Sequence, residues 1–387
     1  MNTKSKTLKT ILITFLTTVI LIAVILVVLL FKLDFPYKKF FRVLSIIEST
    51  YVEEYDKELA EEYAIDALVY SLGDEYSVYY NEENIESLMT ILEGNYVGIG
   101  AEVFANADKK RIEIISVIAD SPAERAGLKS GDLFKSIDDK EYSDQDLTDA
   151  VTYLKGVGIE KPLEKDVKIT LCRGEEEYSV VLKREEINMY KVKPQVIDDI
   201  CYIKYSGFTE TSYKQFNDIV KNLDSSVKGV VVDLRGNPGG ELDSAINTCG
   251  IFLDEKVIMY TIDKNGGKTV YKTNKGSVDI PMAVLIDSST ASAAEVFAGA
   301  MKAHKRGVII GEKSYGKGVT QSVIALNPFD VSKGAVKITA FKNYTPDGIW
   351  INEGIKPDIE VPSQDKDVDI KQDKAFIEAV NSLKKDN

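Results

Sequence analysis

Met282-Ala283-Val284-Leu285-Ile286-Asp287-Ser288-Ser289-Thr290-Ala291-Ser292-Ala293-Ala294-Glu295-Val296 is the stretch on which the fold reading turns. Five unbroken apolar residues read as a buried strand, the small polar residues after them as a turn, and the alanine-rich run as a helix that starts at or near Ser292. The same alternation continues on both sides: strand 200–205, helix 212–223, strand 229–233, helix 242–252, strand 283–286, helix 292–304 and strand 308–310. Strands that take turns with helices predict an α/β layer with crossover connections rather than a sandwich.

A serine at a helix start usually caps it. It also stands where free N–H groups and the positive end of the helix dipole can stabilise a developing oxyanion. The chain has a single histidine, His304, so clustered-histidine metal sites are excluded and a Ser-His-Asp triad would have to use that residue. Twelve residues along one helix amount to roughly 18 Å, which removes His304 as a base for Ser292. The strand after it returns about 16 Å. That return brings the loop Glu312-Lys313-Ser314-Tyr315-Gly316-Lys317-Gly318 beside the helix start. Lys317 lies between glycines, and a lysine desolvated there could take the serine proton. Upstream, Val230-Val231-Val232-Asp233-Leu234-Arg235-Gly236-Asn237-Pro238-Gly239-Gly240 reads as a buried strand entering a glycine-rich turn whose amides could complete an oxyanion hole. It lacks the order of a phosphate-binding loop.

The chain has 387 residues and a net charge of −13. Residues 1–42 hold seven basic side chains against one acidic, which leaves 41 basic against 60 acidic in the remainder. Such a body repels phosphates, so nucleic acid is not an expected partner. Residues 11–31 are uncharged, and as a helix they would span roughly 31 Å, the length of a bilayer core. No small-residue cleavage site follows, so the run is expected to be a retained single-pass anchor after a tail at 1–10. Lysines flank both of its ends, and charge alone does not orient it. Cys172, Cys201 and Cys249 are odd in number and widely spaced, which suits buried apolar positions rather than a disulfide framework or zinc site. Residues 37–93 have helical spacing. Residues 368–385 suit an exposed amphipathic helix, and residues 37–72 and 368–385 suit dimerising helices.

Between them, residues 96–184 are rich in short strands, including one expected over 97–104. Tyr96-Val97-Gly98-Ile99-Gly100 can aim backbone amides at an anion such as a terminal carboxylate. Ser121-Pro122-Ala123-Glu124-Arg125-Ala126-Gly127-Leu128-Lys129-Ser130-Gly131-Asp132 reads as a capped short helix, a glycine stop and a turn into a strand. Together these residues resemble a PDZ domain, a module that adds an extended peptide to a sheet edge and captures its C-terminal carboxylate.

The order of LRGNPGG at 234–240, TASAAE at 290–295 and RGVIIGEKSYGKGVTQ at 306–321 resembles the C-terminal processing peptidases, serine proteases with an embedded PDZ domain, over about residues 40–362. The resemblance implies a crotonase-like or Clp-protease-like α/β core at 186–363, a PDZ domain at 94–185, N-terminal helices and a C-terminal helix at 364–387. It places the nucleophile on Ser292, the base on Lys317, a lysine-orienting glutamine on Gln321, and the oxyanion hole on the Ala293 amide with Gly239 or Gly240. In this family's pattern Thr290 and Ala294 stand where serines are usual, and neither replaces the nucleophile. A fully extended 317–321 would keep Lys317 and Gln321 roughly 13 Å apart, so a bend at Gly318 is expected. The implied activity is an extracytoplasmic, membrane-anchored endopeptidase that cleaves near substrate C-termini and needs no cofactor. The main rival is an inactive membrane-tethered PDZ adaptor. An acyl-CoA enzyme of the crotonase type is disfavoured by the lack of a basic pocket.

Overall fold

The computed structural model describes residues 12–24, 37–82, 84, 85, 88, 89, 95–118, 121–188, 192–364 and 368–385. The chain divides into two units, Met1–Ala64 and Ile65–Asn387. In the first unit, residues 12–24 are helical and exposed. The helix Lys38–Thr50 exposes Phe40, Phe41, Leu44 and Ile47. No helix among the described residues is long and apolar enough to cross a membrane. Of the run 11–31 expected to span a membrane, residues 12–24 are helical. Residues 1–10, expected to form a tail, and residues 11 and 25–31 of that run lie outside the described residues.

The second unit is built on a six-stranded sheet in the order Val192–Ile197, Ile200–Tyr205, Gly229–Asp233, Met282–Ile286, Val308–Gly311, Ile359–Glu360. The first pair is antiparallel and every other pair parallel. Every residue of Gly229–Asp233 and Met282–Ile286 is buried, as strands covered on both faces must be. The helices Glu210–Lys221, Leu242–Gly250 and Ala293–Ala303 supply Phe216, Ala245, Phe297 and Met301 to the core on one face. On the other face Phe376, Ala379 and Leu383 pack with Val231, Ala283, Leu285 and Ile310. These three belong to the helix Lys374–Lys385, which the sequence reading left exposed and available for dimerisation. Its apolar stripe is instead spent on the chain's own sheet, because a parallel sheet with one bare face would leave those four side chains in water.

A second, antiparallel sheet joins Val78–Tyr80, Val257–Asp263, Lys268–Lys272, Val319–Ala325 and Ala335–Tyr344. The sequence did not reveal it, and Val78–Tyr80 falls inside the stretch expected to be helical. Lys337 and Lys342 interrupt the longest of these strands, whose residues are mostly half-buried, so no clean apolar period marks it.

The β-rich module has its own sheet, Ala101–Asn106, Arg111–Val117, Leu133–Ile137, Asp166–Arg173 and Glu176–Lys183. It also has its own core of Ile112, Ile114, Phe134, Ile137, Val167, Ile169 and Leu171. Asn95–Gly98 pairs with Glu185–Asn188 at its two ends. The single strand expected over 97–104 is broken at Ile99-Gly100. Gly100 has φ +80°, and a Cβ there would come within 2.2 Å of Ser121 Cβ, so only glycine lets the chain turn against the capped helix.

Candidate active site

Ser292 ends the turn that follows the buried strand Met282–Ile286 and begins the helix Ala293–Ala303. Its backbone is strained, with φ 55° and ψ −120°. Such a conformation costs about 1–3 kcal/mol outside glycine and persists only where the surroundings dictate it. Two neighbours do so. The Ser292 N–H donates to Glu295 Oε2 at 2.8 Å. On the other side Gly239 leaves no room: a Cβ there would lie 2.8 Å from Ala291 O and from Ser292 Cβ.

The glycine turn is fixed by Asn237, which is fully buried. Its Nδ2 donates to Tyr205 O at 2.7 Å, its Oδ1 accepts from the Gly239 N–H at 2.8 Å, and its carbonyl accepts from the Ala291 N–H at 3.0 Å. Thr290, also buried, donates from Oγ1 to Leu234 O at 2.9 Å and so ties the turn before Ser292 to the same strand end. Of the amides expected to form an oxyanion hole, Gly239 N–H is thus already spent on Asn237. Ala293 N–H and Gly240 N–H have no partner among the described hydrogen bonds. Gly240 has φ +134°, and a Cβ on it would meet Phe208 O at 2.1 Å.

Beneath the turn, Asp233 is buried and receives Arg235 Nη2 at 2.7 Å, Tyr202 Oη at 2.6 Å and Lys204 Nζ at 3.3 Å. Arg235 reaches on to Asp373 Oδ2 at 2.7 Å, and Asp373 caps the last helix through the Phe376 N–H at 2.9 Å.

Lys317 arrives as the sequence reading placed it, on the loop that follows Val308–Gly311. The Tyr315 N–H donates to Thr290 O at 2.9 Å, and the Lys317 N–H donates to Glu295 Oε2 at 2.8 Å. Ser292 and Lys317 therefore share one carboxylate oxygen through their main chains, and their nitrogens lie within twice that distance of each other. Glu295 is the residue that sequence reasoning missed. Wholly buried, it also accepts from Ser314 Oγ at 2.6 Å and from the Gly316 N–H at 2.7 Å through Oε1. Burial pushes its carboxyl above the usual range, and these hydrogen bonds pull it back part of the way. A signal was there to read: Glu295 is the one acid in an otherwise apolar run of buried helix.

The Lys317 ammonium sits 4.7 Å from the centroid of the Tyr76 ring. No described hydrogen bond joins it to Ser292 Oγ. Burial holds its pKa below the ordinary 10.5, and the like charge of Lys337 adds to this, while Asp74, Glu295 and Glu75 oppose it. Gln321 has no described hydrogen bond to Lys317. Its Nε2 donates to Thr339 Oγ1 at 3.1 Å, and Thr339 N–H in turn donates to Ser77 Oγ at 3.0 Å. Lys317 and Gly318 precede the strand Val319–Ala325, and the ladder is irregular between Thr320 and Gln321. His304 is at the far end of the helix, its Nε2 2.7 Å from Val257 O.

In the β-rich module, Tyr96, Val97 and Gly98 lie in the short paired strand. Ile99 and Gly100 form the break after it, with Ile99 O accepting from Ala123 N–H and Gly100 O from Ile118 N–H, both at 2.8 Å. Ala101–Asn106 follows as an edge strand, paired among the described residues only with Arg111–Val117. The Gly131-Asp132 turn is locked because buried Asp132 accepts from Arg173 Nε at 2.7 Å, Tyr178 Oη at 2.6 Å and the Lys129 N–H at 2.7 Å.

Residues 199–361 match peptidase family S41, and residues 113–162 match the PDZ domain. A protein of Staphylococcus aureus (strain COL) described as a "probable CtpA-like serine protease" is 32% identical over 325 residues, covering 82% of this chain and 63% of its own length. Its counterpart in Staphylococcus haemolyticus (strain JCSC1435) is 31% identical over 338 residues, covering 86% and 64%. The chain thus spans a little under two thirds of the length of these relatives. Among solved structures, the photosystem II D1 C-terminal processing protease superposes with a TM-score of 0.52 at 24% identity, over 83% of this chain and 86% of that one. The fold, the order of the two domains and the CtpA-like relatives agree: the chain belongs to peptidase family S41 and carries a PDZ domain.

Proposed function

We propose that the chain is a serine endopeptidase in which Ser292 attacks a substrate carbonyl after Lys317 takes its proton. A Lys317-activated water then hydrolyses the acyl-enzyme. The observation that carries this reading is the single Glu295 oxygen that receives the N–H groups of both residues, since it sets a strained serine and a desolvated lysine side by side. The Ala293 and Gly240 amides are the donors available for the tetrahedral oxyanion. Gln321 enters only as a support for Thr339 and the strand that carries it. The Lys317 ammonium on the Tyr76 ring is read as a resting position from which a rotation about the side chain reaches Ser292 Oγ.

The PDZ domain takes the C-terminal tail of a protein substrate by adding it to the edge strand Ala101–Asn106, which directs cutting to nearby residues. The uncharged run at 11–31 tethers the enzyme to a membrane, with the domains on the extracytoplasmic side.

Incubation of the chain with a reduced, unfolded protein, with fragments read by mass spectrometry, tests the dyad. Wild type is expected to cut near the C-terminus, while Ser292→Ala and Lys317→Ala bind a tail peptide with unchanged affinity and do not cut. Turnover retained in both variants would remove the dyad. The gap between Lys317 Nζ and Ser292 Oγ favours one rival, a PDZ adaptor without activity. That rival predicts tail binding by wild type with no fragments at all.

A further inference from the structure

The loop that carries Lys317 is held on two sides, and Glu295 accounts for one of them. The other is the segment from Trp350 to Ile355, whose short turn Ile351–Glu353 is anchored by the fully buried Ile351. Loop and segment meet main chain to main chain, and glycines make that approach possible. A Cβ on Gly318 would lie 2.1 Å from Asn352 N, one on Gly316 2.8 Å from Asn352 O, and one on Gly354 2.7 Å from Ser314 O. Ser314 ties the two together. Its N–H donates to Ile355 O at 3.1 Å, and its Oγ accepts from the Ile355 N–H at 2.6 Å.

Next to Lys317 the contact passes to a side chain. Gly318 O accepts from the Asn343 N–H at 3.0 Å and from Trp350 Nε1 at 3.0 Å. Trp350 is the chain's one tryptophan, half-buried, bridged to Tyr344 through its main chain and faced by the Lys342 ammonium 5.1 Å from its ring. A carbonyl oxygen has two lone pairs, so two donors saturate it and fix its direction. On the N-terminal side of Lys317, the Lys317 N–H is held by Glu295 Oε2 at 2.8 Å. With the main chain pinned before and after it, the lysine moves only about its own side-chain bonds, and a small misplacement of a reacting group is costly in rate. We propose that Trp350 is a positioning residue for Lys317: its indole N–H, together with the Asn343 N–H, fixes the Gly318 carbonyl so that the lysine reaches Ser292 by side-chain rotation alone. This rests on the reading of Ser292 and Lys317 as the dyad.

The test uses the full chain with Trp350 replaced by benzothienylalanine, which keeps the ring and puts sulfur where the N–H was, and with Trp350→Phe. Cleavage of an unfolded protein is followed as a function of pH. Loss of one neutral hydrogen bond should lower kcat about fivefold with KM unchanged. The midpoint of the kcat/KM profile should rise by about half a pH unit, because a looser loop lets water reach the Lys317 ammonium. Asp74, Glu75, Glu295 and Lys337, the charged groups that act on Lys317, are the same in all three proteins. A merely structural role would lower the melting temperature and the plateau and leave the midpoint in place, and that result would overturn the proposal. So would a benzothienylalanine protein that behaves as wild type. A second measurement needs no turnover. One tryptophan gives one indole N–H resonance, which should move with pH in a step that Lys317→Met removes. Lys342 also faces the indole, so a step that survives Lys317→Met belongs to Lys342 and counts against the tie. If wild type cuts nothing at any pH, it is the dyad that fails, and the tie stands or falls by the indole resonance.

Discussion

An ordinary lysine is protonated at neutral pH and accepts nothing. Lys317 is held below that ordinary value by burial first and by the charge of Lys337 second. Lowering the pKa enlarges the neutral fraction at any given pH, so activity should climb with pH through a midpoint below 10.5. Lys337→Met removes one of the forces that disfavour the cation. The Lys317 pKa should then rise and the midpoint of the kcat/KM profile should move to higher pH, with the plateau unchanged. Glu295 makes a second demand on the same site. Its four hydrogen bonds all arrive from donors, and an amide offers one oxygen where the carboxylate offers two. Glu295→Gln should leave two donors facing an NH2 group. At about 1.5–3 kcal/mol for each charged hydrogen bond lost, kcat should fall by two orders of magnitude or more, and the melting temperature should fall with it. The first demand is legible in the sequence, since Lys317 lies between glycines, while the part Glu295 plays is not. A glutamate three residues after a helix start looks like a group answering the helix dipole, and only the returning loop shows that it binds two segments together. Ser292 and Lys317 were legible because helix rise and strand rise suffice to bring them near each other. The Gln321 assignment came with the family pattern, and its side chain turned out to bond Thr339.

Elements read well where burial is complete and poorly where it is partial. Gly229–Asp233, Met282–Ile286 and Val308–Gly311 announced themselves as short unbroken apolar runs because helices cover both faces of their sheet. The antiparallel sheet carries charges on residues that alternate only roughly, and its pairing of Val78–Tyr80 with Ala335–Tyr344 joins segments more than 250 residues apart. No local pattern can report such a pairing. The last helix was recognised by its period, but its face was assigned to solvent, since the sequence does not say which sheet face still needs a cover. Its tie to the site runs from Asp373 through Arg235 to the turn at Gly236. Asp373→Ala should remove an ion pair and a helix cap together, costing about 1–2 kcal/mol and a few degrees of melting temperature. If the helix also steadies the turn, kcat should fall at a temperature where the variant is still fully folded, and Asp373→Asn, which keeps the cap, should recover part of it.

At the scale of the molecule, the protease layer, the PDZ module and their order could be read from motifs, because those motifs mark places where only glycine fits or a short helix must be capped. How the two sheets share the work could not. One sheet supplies Ser292 and the amides beside it, while the other supplies the strand that follows Lys317 together with Val78–Tyr80, two residues on from the Tyr76 ring that the Lys317 ammonium faces. The segments at 234–240, 290–295 and 312–318 all meet around Ser292, and Asp373 is tied to the first of them through Arg235. This bears on how the chain is made. Domains fold as units during synthesis. A growing chain has delivered Ser292 long before Asp373 and the helix Lys374–Lys385 can dock under the sheet. Until they do, the tie from Asp373 through Arg235 to the turn beside the serine is missing, so the surroundings of Ser292 are completed only when the last helix has docked.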